Sequence, residues 1–404
     1  MARVIPLLTL ESRLKRQLRR HLSALGFIRY ENGWRHPQAG DKESVRLLHL
    51  DQRREKLRSE RTFVERNAAL LLQYFAEGRD VVPNDVRPVL VPVKAKSVES
   101  DLFRFASLLW SVPVSNGYGR RLRFLVVDAS NGCLIGLFAL GDPVFNLTAR
   151  DNWVGWTAAD RSARLANVLD CFVLGAVPPY RQLLGGKVIA SMIRSSDVAE
   201  AFSAKYGNKP GLISNKNKQA SLSLVTVTSA LGRSSLYNRL ILQGAKYFDE
   251  VGYTKGWGHF HISDDFFCEL REYLRRRKHA YASANRFGDG PNWRLRVVRE
   301  GIEALGFNPN LLRHGIARQV FCCEMATNTR SFLRGESTSL DWYPLKSASD
   351  VGLLACDRWL IPRASRDPQY LTQTRGIVLA DILSLAGPDT FSSTSLLTKP
   401  IVQS

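Results

Sequence analysis

Between residues 122 and 260 the sequence lays down an order of elements that few folds accommodate. Arg123-Phe124-Leu125-Val126-Val127-Asp128 and Leu134-Ile135-Gly136-Leu137-Phe138-Ala139-Leu140 are β-rich runs joined by Ala129-Ser130-Asn131-Gly132. Asn-Gly between two such runs is a strong hairpin signal, so they are expected to be antiparallel neighbours. A buried strand over 169–177, a Pro178-Pro179 corner, a helix opened by Gly185-Gly186-Lys187 and running to about Tyr206, and a strand over 222–228 are expected next. The turn from Thr228 to Ser235 then leads into a helix from Ser234, and a return strand over 258–262 closes the unit. Each strand-to-helix turn sets backbone N–H groups at a helix N-terminus beside the end of a strand, which is how proteins hold phosphates and other anions. Such a pair of turns marks a cofactor or nucleic-acid site without saying which.

Charge narrows the partners. The 404 residues carry a formal net charge of +20, which means sustained attraction to polyanions, and nucleic acid, DNA foremost, is the expected partner. The first 66 residues hold 16 Lys and Arg against 8 Asp and Glu, and Leu10, Leu14, Leu18, Leu22 and Leu25 recur among them at helical spacing until Gly26. Residues 271–318 hold 11 basic against 4 acidic residues, with Arg275, Arg276, Arg277 and Lys278 consecutive on one helix. These four, together with Arg233 in the second strand-to-helix turn, are the expected nucleic-acid contacts. The segment 208–219, with three lysines and three asparagines and no apolar period, reads as a basic loop.

The hydrophobic content of 45% suits a globular chain. No uncharged apolar run approaches the ~20 residues that span a bilayer, and no signal peptide is legible, so a cytoplasmic protein without a membrane partner is expected. The cysteines Cys133, Cys171, Cys268, Cys322, Cys323 and Cys356 form no CxxC pair, so neither a disulfide framework nor a metal site is expected. The fold class is α/β (α+β): a mixed, mostly antiparallel sheet flanked by basic helical regions. Four regions follow: a basic helical region over 1–92, an α/β core over 93–265, a second basic helical region over 266–363, and a weakly ordered tail over 364–404, Ser/Thr-rich at 390–395.

Gly185-Gly186-Lys187 is neither a P-loop nor a dinucleotide fingerprint, since both spacings are absent. Its glycines serve either close ligand approach or tight strand-to-helix packing. The layout of hairpin, strand, glycine-opened helix, strand and Ser-Ser-x-Tyr helix resembles the GNAT-type N-acetyltransferase fold. That resemblance implies acyl-CoA as cofactor, Gly185, Gly186 and Lys187 at its pyrophosphate and Tyr237 as general acid, although lysine stands where the family has glycine or alanine. Asp128, at a strand end before a hairpin, offers a rival: a Mg²⁺-dependent nuclease of ribonuclease H-like type, with further carboxylates among Asp142, Asp151, Asp170 and Asp264. The bland reading of Asp128 is a turn cap. His259 and His261 share one face of the return strand but lack a third ligand. Whether the core is catalytic is left open by the residues.

Longer motifs point to one bacterial family. Leu102-Phe103-Arg104-Phe105-Ala106, the run from Trp110 to Phe124 (WSVPVSNGYGRRLRF), Ala139 to Leu147 (ALGDPVFNL) and Ser229 to Arg239 (SALGRSSLYNR) closely resemble the DruA family of the Druantia anti-phage defence system. Gly252-Tyr253-Thr254, Gly290-Pro291-Asn292-Trp293-Arg294 and Leu312-Arg313-His314-Gly315-Ile316 extend the match, which runs from about Asp101 to Arg363. The resemblance implies a role in blocking phage infection beside other Druantia components, the largest of them a helicase-like ATPase. It carries over no catalytic residues.

Overall fold

The computed structural model describes residues 9–30, 33–35, 41–114, 119–207, 220–258, 262–282, 291–312 and 315–383. The basic loop 208–219, the histidine pair His259 and His261, and the segment 390–395 lie outside them. In chain order the principal elements are helix α1 (Leu10–Ala24), strand β1 (Pro88–Pro92), helix α2 (Val98–Ser107), strands β2 (Arg121–Asp128) and β3 (Cys133–Gly141), and helix α3 (Thr148–Val154). Strand β4 (Val168–Ala176), helices α4 (Gly185–Met192) and α5 (Ser196–Tyr206), strand β5 (Leu224–Thr228), the one-turn helix α6 (Ser235–Asn238) and strand β6 (Asp249–Tyr253) follow. The chain continues with helices α7 (Asp264–Arg276) and α8 (Pro291–Ala304), strand β7 (Gln319–Glu324), and helices α9 (Ala348–Ala355) and α10 (Arg375–Leu383). They form two compact units, each discontinuous in sequence: residues 1–52 with 254–318, and residues 53–253 with 319–404.

The larger unit is built on a seven-stranded sheet in the order β6-β7-β5-β4-β3-β2-β1. Its neighbours are antiparallel except β4 and β5, which run parallel, so the mixed, mostly antiparallel sheet read from the sequence is present. Helices cover both faces. Val188, Ile189 and Met192 of α4 and Val351 and Ala355 of α9 pack on Phe138, Leu140 and Cys171 of one face. Leu102 and Phe105 of α2 and Val378, Leu379 and Ile382 of α10 pack with Leu125, Leu137 and Val173 of the other. Strand β3 is buried along its whole length, which is why Leu134 to Leu140 reads as a continuous apolar run rather than an alternation. Each such buried Leu, Ile or Phe contributes about 1.5–3 kcal/mol.

The hairpin forms as expected, with Gly132 in the left-handed region at φ +72°. Two local expectations are corrected. The helix expected from Gly186 to Tyr206 breaks into α4 and α5, because Ser195 turns extended and its hydroxyl donates to Met192 O at 2.8 Å, diverting the backbone from the helix. The strand that pairs with β7 is β6 at Asp249–Tyr253, while the return strand expected over 258–262 falls largely on 259–261, which lie outside the described residues. Residues 266–332 were expected to be helical, yet they contain β7, paired with β5 on one side and β6 on the other. Its Val320-Phe321-Cys322-Cys323 is fully buried, so no period-2 alternation betrays it.

In the smaller unit, Thr9 caps α1 by accepting from the Ser12 amide, and Gly26 at φ +81° ends the helix as read. Leu14, Leu18 and Leu22 are wholly buried. Their helix is tied to α7 by Arg13 to Glu269 at 3.0 Å and by the Tyr273 hydroxyl donating to Glu11 at 2.9 Å.

Candidate functional site

The parallel pair β4–β5 is the distinctive feature of the sheet. Its pairing runs from Val168↔Leu224 to Cys171↔Val227 and stops there. At the same point Phe172 is an extra residue against β3, since Leu140 faces Cys171 while Ala139 faces Val173. A bulge bends its strand, and this one falls where the pairing of β4 with β5 ends. Beyond it the Trp110 indole donates to Leu174 O at 3.3 Å.

The register aligns Arg121, Gly141, Asp170, Thr226, Cys322 and Asp249 as successive cross-strand partners, a row that crosses the sheet. In its middle, half-buried Asp170 accepts the Thr226 hydroxyl at 2.7 Å through one oxygen, and its other oxygen has no partner among the described residues. Burial raises its pKa to about 6 against the opposing pull of Thr226 and Arg150. Sequence spacing had not separated Asp170 from the other aspartates. Its cross-strand partner Thr226, 56 residues away, is what does so.

The glycine-opened turn and the tyrosine helix meet beside this point. A Cβ on Gly186 would stand 3.0 Å from Leu236 Cδ1, and the Lys187 ammonium donates to Arg239 O at 3.4 Å while lying 4.9 Å from the Trp359 ring centre. Burial, then Arg239 and Arg358, lower the lysine's pKa. Arg358 also lines an open cavity of about 470 Å³ with Ile241, Leu242 and Leu354. The turn is largely self-satisfied. The Gly185 amide donates to Tyr180 O and the Lys187 amide to Leu184 O, each at 2.8 Å, leaving the Gly186 amide without a partner among the described residues. It therefore does not offer the run of open amides that a pyrophosphate cradle needs.

Tyr237 is buried against Phe248 and Phe321, with ring centres 5.0 and 5.1 Å away. Burial, then Cys171 and Asp170, push its hydroxyl well above the usual range, so it holds its proton at neutral pH. Its helix is pinned by a residue that sequence reasoning missed. Gln319 is 1% exposed, and its side-chain oxygen accepts from the Ser234 amide at 2.8 Å and from Asn238 at 2.9 Å. Arg233, in the same turn, is exposed.

Asp128 is the turn cap. Its oxygens accept from the Arg87 amide, the Ser130 amide and hydroxyl, and the Tyr180 hydroxyl, at 2.7–3.0 Å. Asp142, Asp151 and Asp264 are paired with Arg120, Arg150 and Arg161, and Arg294 respectively. No group of three or more His, Cys, Asp or Glu among the described residues could hold a metal ion.

The remaining candidates lie in the smaller unit, at the end of α7. Arg275 makes a two-pronged pair with Glu272 at 2.7 and 2.9 Å, and Arg276 reaches the same carboxylate at 3.0 Å. These two arginines hold the Glu272 pKa down to about 2. Arg277 donates to the Tyr273 hydroxyl and to Ala304 O, and Lys278 follows, exposed, at φ +53°.

Comparison with known proteins decides the kinship. The profile of the family described as Druantia protein DruA matches residues 39–335. The Druantia protein DruA of Escherichia coli (strain UMEA 4076-1) is 50% identical over 360 residues, 89% of this chain and 89% of the relative. The chain belongs to the DruA family. The likeness read from its motifs is thereby shown. No solved structure matches. No helix among the described residues is long and apolar enough to cross a membrane.

Proposed function

We propose that the chain acts in anti-phage defence as the nucleic-acid-handling component of a Druantia system, working beside a large helicase-like ATPase. The observation that carries this reading is the end of α7, where Arg275, Arg276, Arg277 and Lys278 crowd one surface turn and Glu272 pairs with the first two of them. Arg275 and Arg276 are exposed, and exposed ion pairs exchange readily for phosphate contacts. The net charge of +20 supports the same partner. The test is fluorescence anisotropy with labelled DNA at several salt concentrations. The triple variant R275E/R276E/R277E should bind more weakly, and its salt dependence should flatten by about 0.9 in log–log slope for each phosphate no longer neutralised. Native affinity and slope in the variant would remove the assignment.

A second reading, acyl-CoA-dependent transfer or nucleobase modification, is favoured by the end of the β4–β5 pairing and the β4 bulge next to Tyr237. It rests on Lys187 and the Gly186 amide as cofactor contacts, since the rest of the turn is engaged within the chain. A stoichiometric CoA adduct in native mass spectrometry, lost in Lys187→Ala, is its expected result; no adduct with the native chain discards it. The nuclease reading has no supporting geometry among the described residues.

A further inference from the structure

In the smaller unit two segments run side by side as a ribbon. Thr254 N donates to Arg318 O at 2.9 Å, Arg318 N to the Thr254 hydroxyl at 3.1 Å, and Gly258 N to Leu312 O at 2.9 Å. Between them the backbones close so tightly that a Cβ on Gly256 would stand 3.0 Å from the carbonyl carbon of Gly315. From this ribbon the Arg318 side chain enters a desolvated position.

Its guanidinium donates through one terminal nitrogen to His49 Nε2 at 3.0 Å. His49 is 1% exposed and its Nδ1 faces Gln52 Oε1 at 3.0 Å, so the ring proton belongs on Nδ1 and Nε2 is the acceptor. Burial drives the His49 pKa down to about 4, with Arg318 adding to the effect, so the ring is neutral and cannot balance the arginine's charge. Arg318 Nε is buried with no hydrogen-bond partner among the described residues. Burial lowers the arginine's own pKa, and no carboxylate among the described residues offsets it. The other desolvated arginines differ: Arg53 and Arg181 have Asp381 nearby, and Arg121 has Asp142. A desolvated cation without a counter-charge is unfavourable, and an oxyanion supplies what is missing.

The ribbon also presents Lys255, exposed, and Trp257, which is 51% exposed. An accessible indole offers a surface for an unstacked base, whereas the bases of a duplex are already stacked on one another.

We propose that Arg318 binds a phosphate in a single-stranded nucleic-acid site on this ribbon, where Trp257 stacks an unpaired base and Lys255 contacts a flanking phosphate. This rests on the nucleic-acid reading above and deepens it, assigning the strandedness of the substrate and the residues that select it.

The experiment titrates the full chain against a labelled oligothymidylate and a duplex of equal length, each at several salt concentrations. Trp257→Ala should weaken single-strand binding about tenfold with its salt slope and the duplex affinity unchanged, because stacking releases no counterions. Arg318→Gln should weaken it too and lower the single-strand slope by about 0.7. Arg318→Lys, which keeps the charge, should restore the slope, and it serves as the second variant if the glutamine protein melts early. Native single-strand affinity in Trp257→Ala, or equal weakening toward duplex, overturns the site. If R275E/R276E/R277E loses binding while Trp257→Ala and Arg318→Gln do not, the nucleic-acid reading survives and this site does not. No binding by the native chain removes both.

Discussion

Replacing Asp170 by Asn should stabilise the protein at neutral pH, by an amount that fades in acid. Burial raises the Asp170 pKa from 3.8 to about 6. Within that window the folded state holds a proton that the unfolded chain has released, so stability falls as pH rises through it. At about 1.36 kcal/mol per unit, a shift of about 2 units gives a penalty of about 3 kcal/mol above the window. Asn keeps an oxygen for the Thr226 hydroxyl and has no charge to desolvate. By linkage the gain should be about 3 kcal/mol at pH 7.5, about 1.6 at pH 5 and about 0.6 at pH 4. His49 opposes this trend in the native protein. Its pKa is lowered from 6.5 to about 4, so its stabilisation is lost as pH falls through that range. The histidine is common to both proteins and drops out of the difference, which is why the variant must be compared with the native chain at each pH. Urea unfolding followed by tryptophan fluorescence provides the values. A difference that does not change with pH, or a variant less stable throughout, would refute the reasoning and show that the fold requires the ionised carboxylate. The predicted gain would mark Asp170 as serving chemistry or binding rather than stability.

Gly185→Ala should destabilise by about 1–3 kcal/mol in thermal or urea unfolding, because its Cβ would stand 2.7 Å from the backbone oxygen of Tyr180. Gly186→Ala meets only the flexible end of Leu236 and should be nearly neutral, so equal losses would contradict the packing described. Gln319→Leu strands the Ser234 amide, at about 1–3 kcal/mol, while the Asn238 side chain keeps its bond to Ser234 O. Faster hydrogen exchange at the Ser234 and Tyr237 amides should accompany it, and unchanged protection would show that α6 does not depend on Gln319.

Elements that advertise themselves locally were legible: the Asn131-Gly132 hairpin, the leucine ladder of α1 stopped by Gly26, and the order of strands around the glycine-opened helix. Features set by distant partners were not. Strand β7 lacks alternation because both of its faces are covered, and nothing near it says that it slots between β5 and β6. Asp170 looked like any of five aspartates until Thr226 came to lie across from it. Arg318 looked like one basic residue among 57, since what distinguishes it is that no carboxylate among the described residues offsets its charge. Gly185 was readable as either a ligand cradle or a packing device, and the Tyr180 carbonyl shows that it is at least the second.

The strand order has a consequence for how the chain is made. Strand β7 is the last strand synthesised, yet it lies inside the sheet with β5 and β6 on either side. Until residue 324 leaves the ribosome, β5 has an open edge and β6 has no strand to pair with. The 65 residues from 254 to 318 are translated during that interval, and they belong to the other unit. At about 5–20 residues per second the half-built sheet waits several seconds with an unsatisfied edge. A chain cut short before β7 is therefore an aggregation hazard rather than a smaller working protein, and chaperone demand should concentrate on that interval.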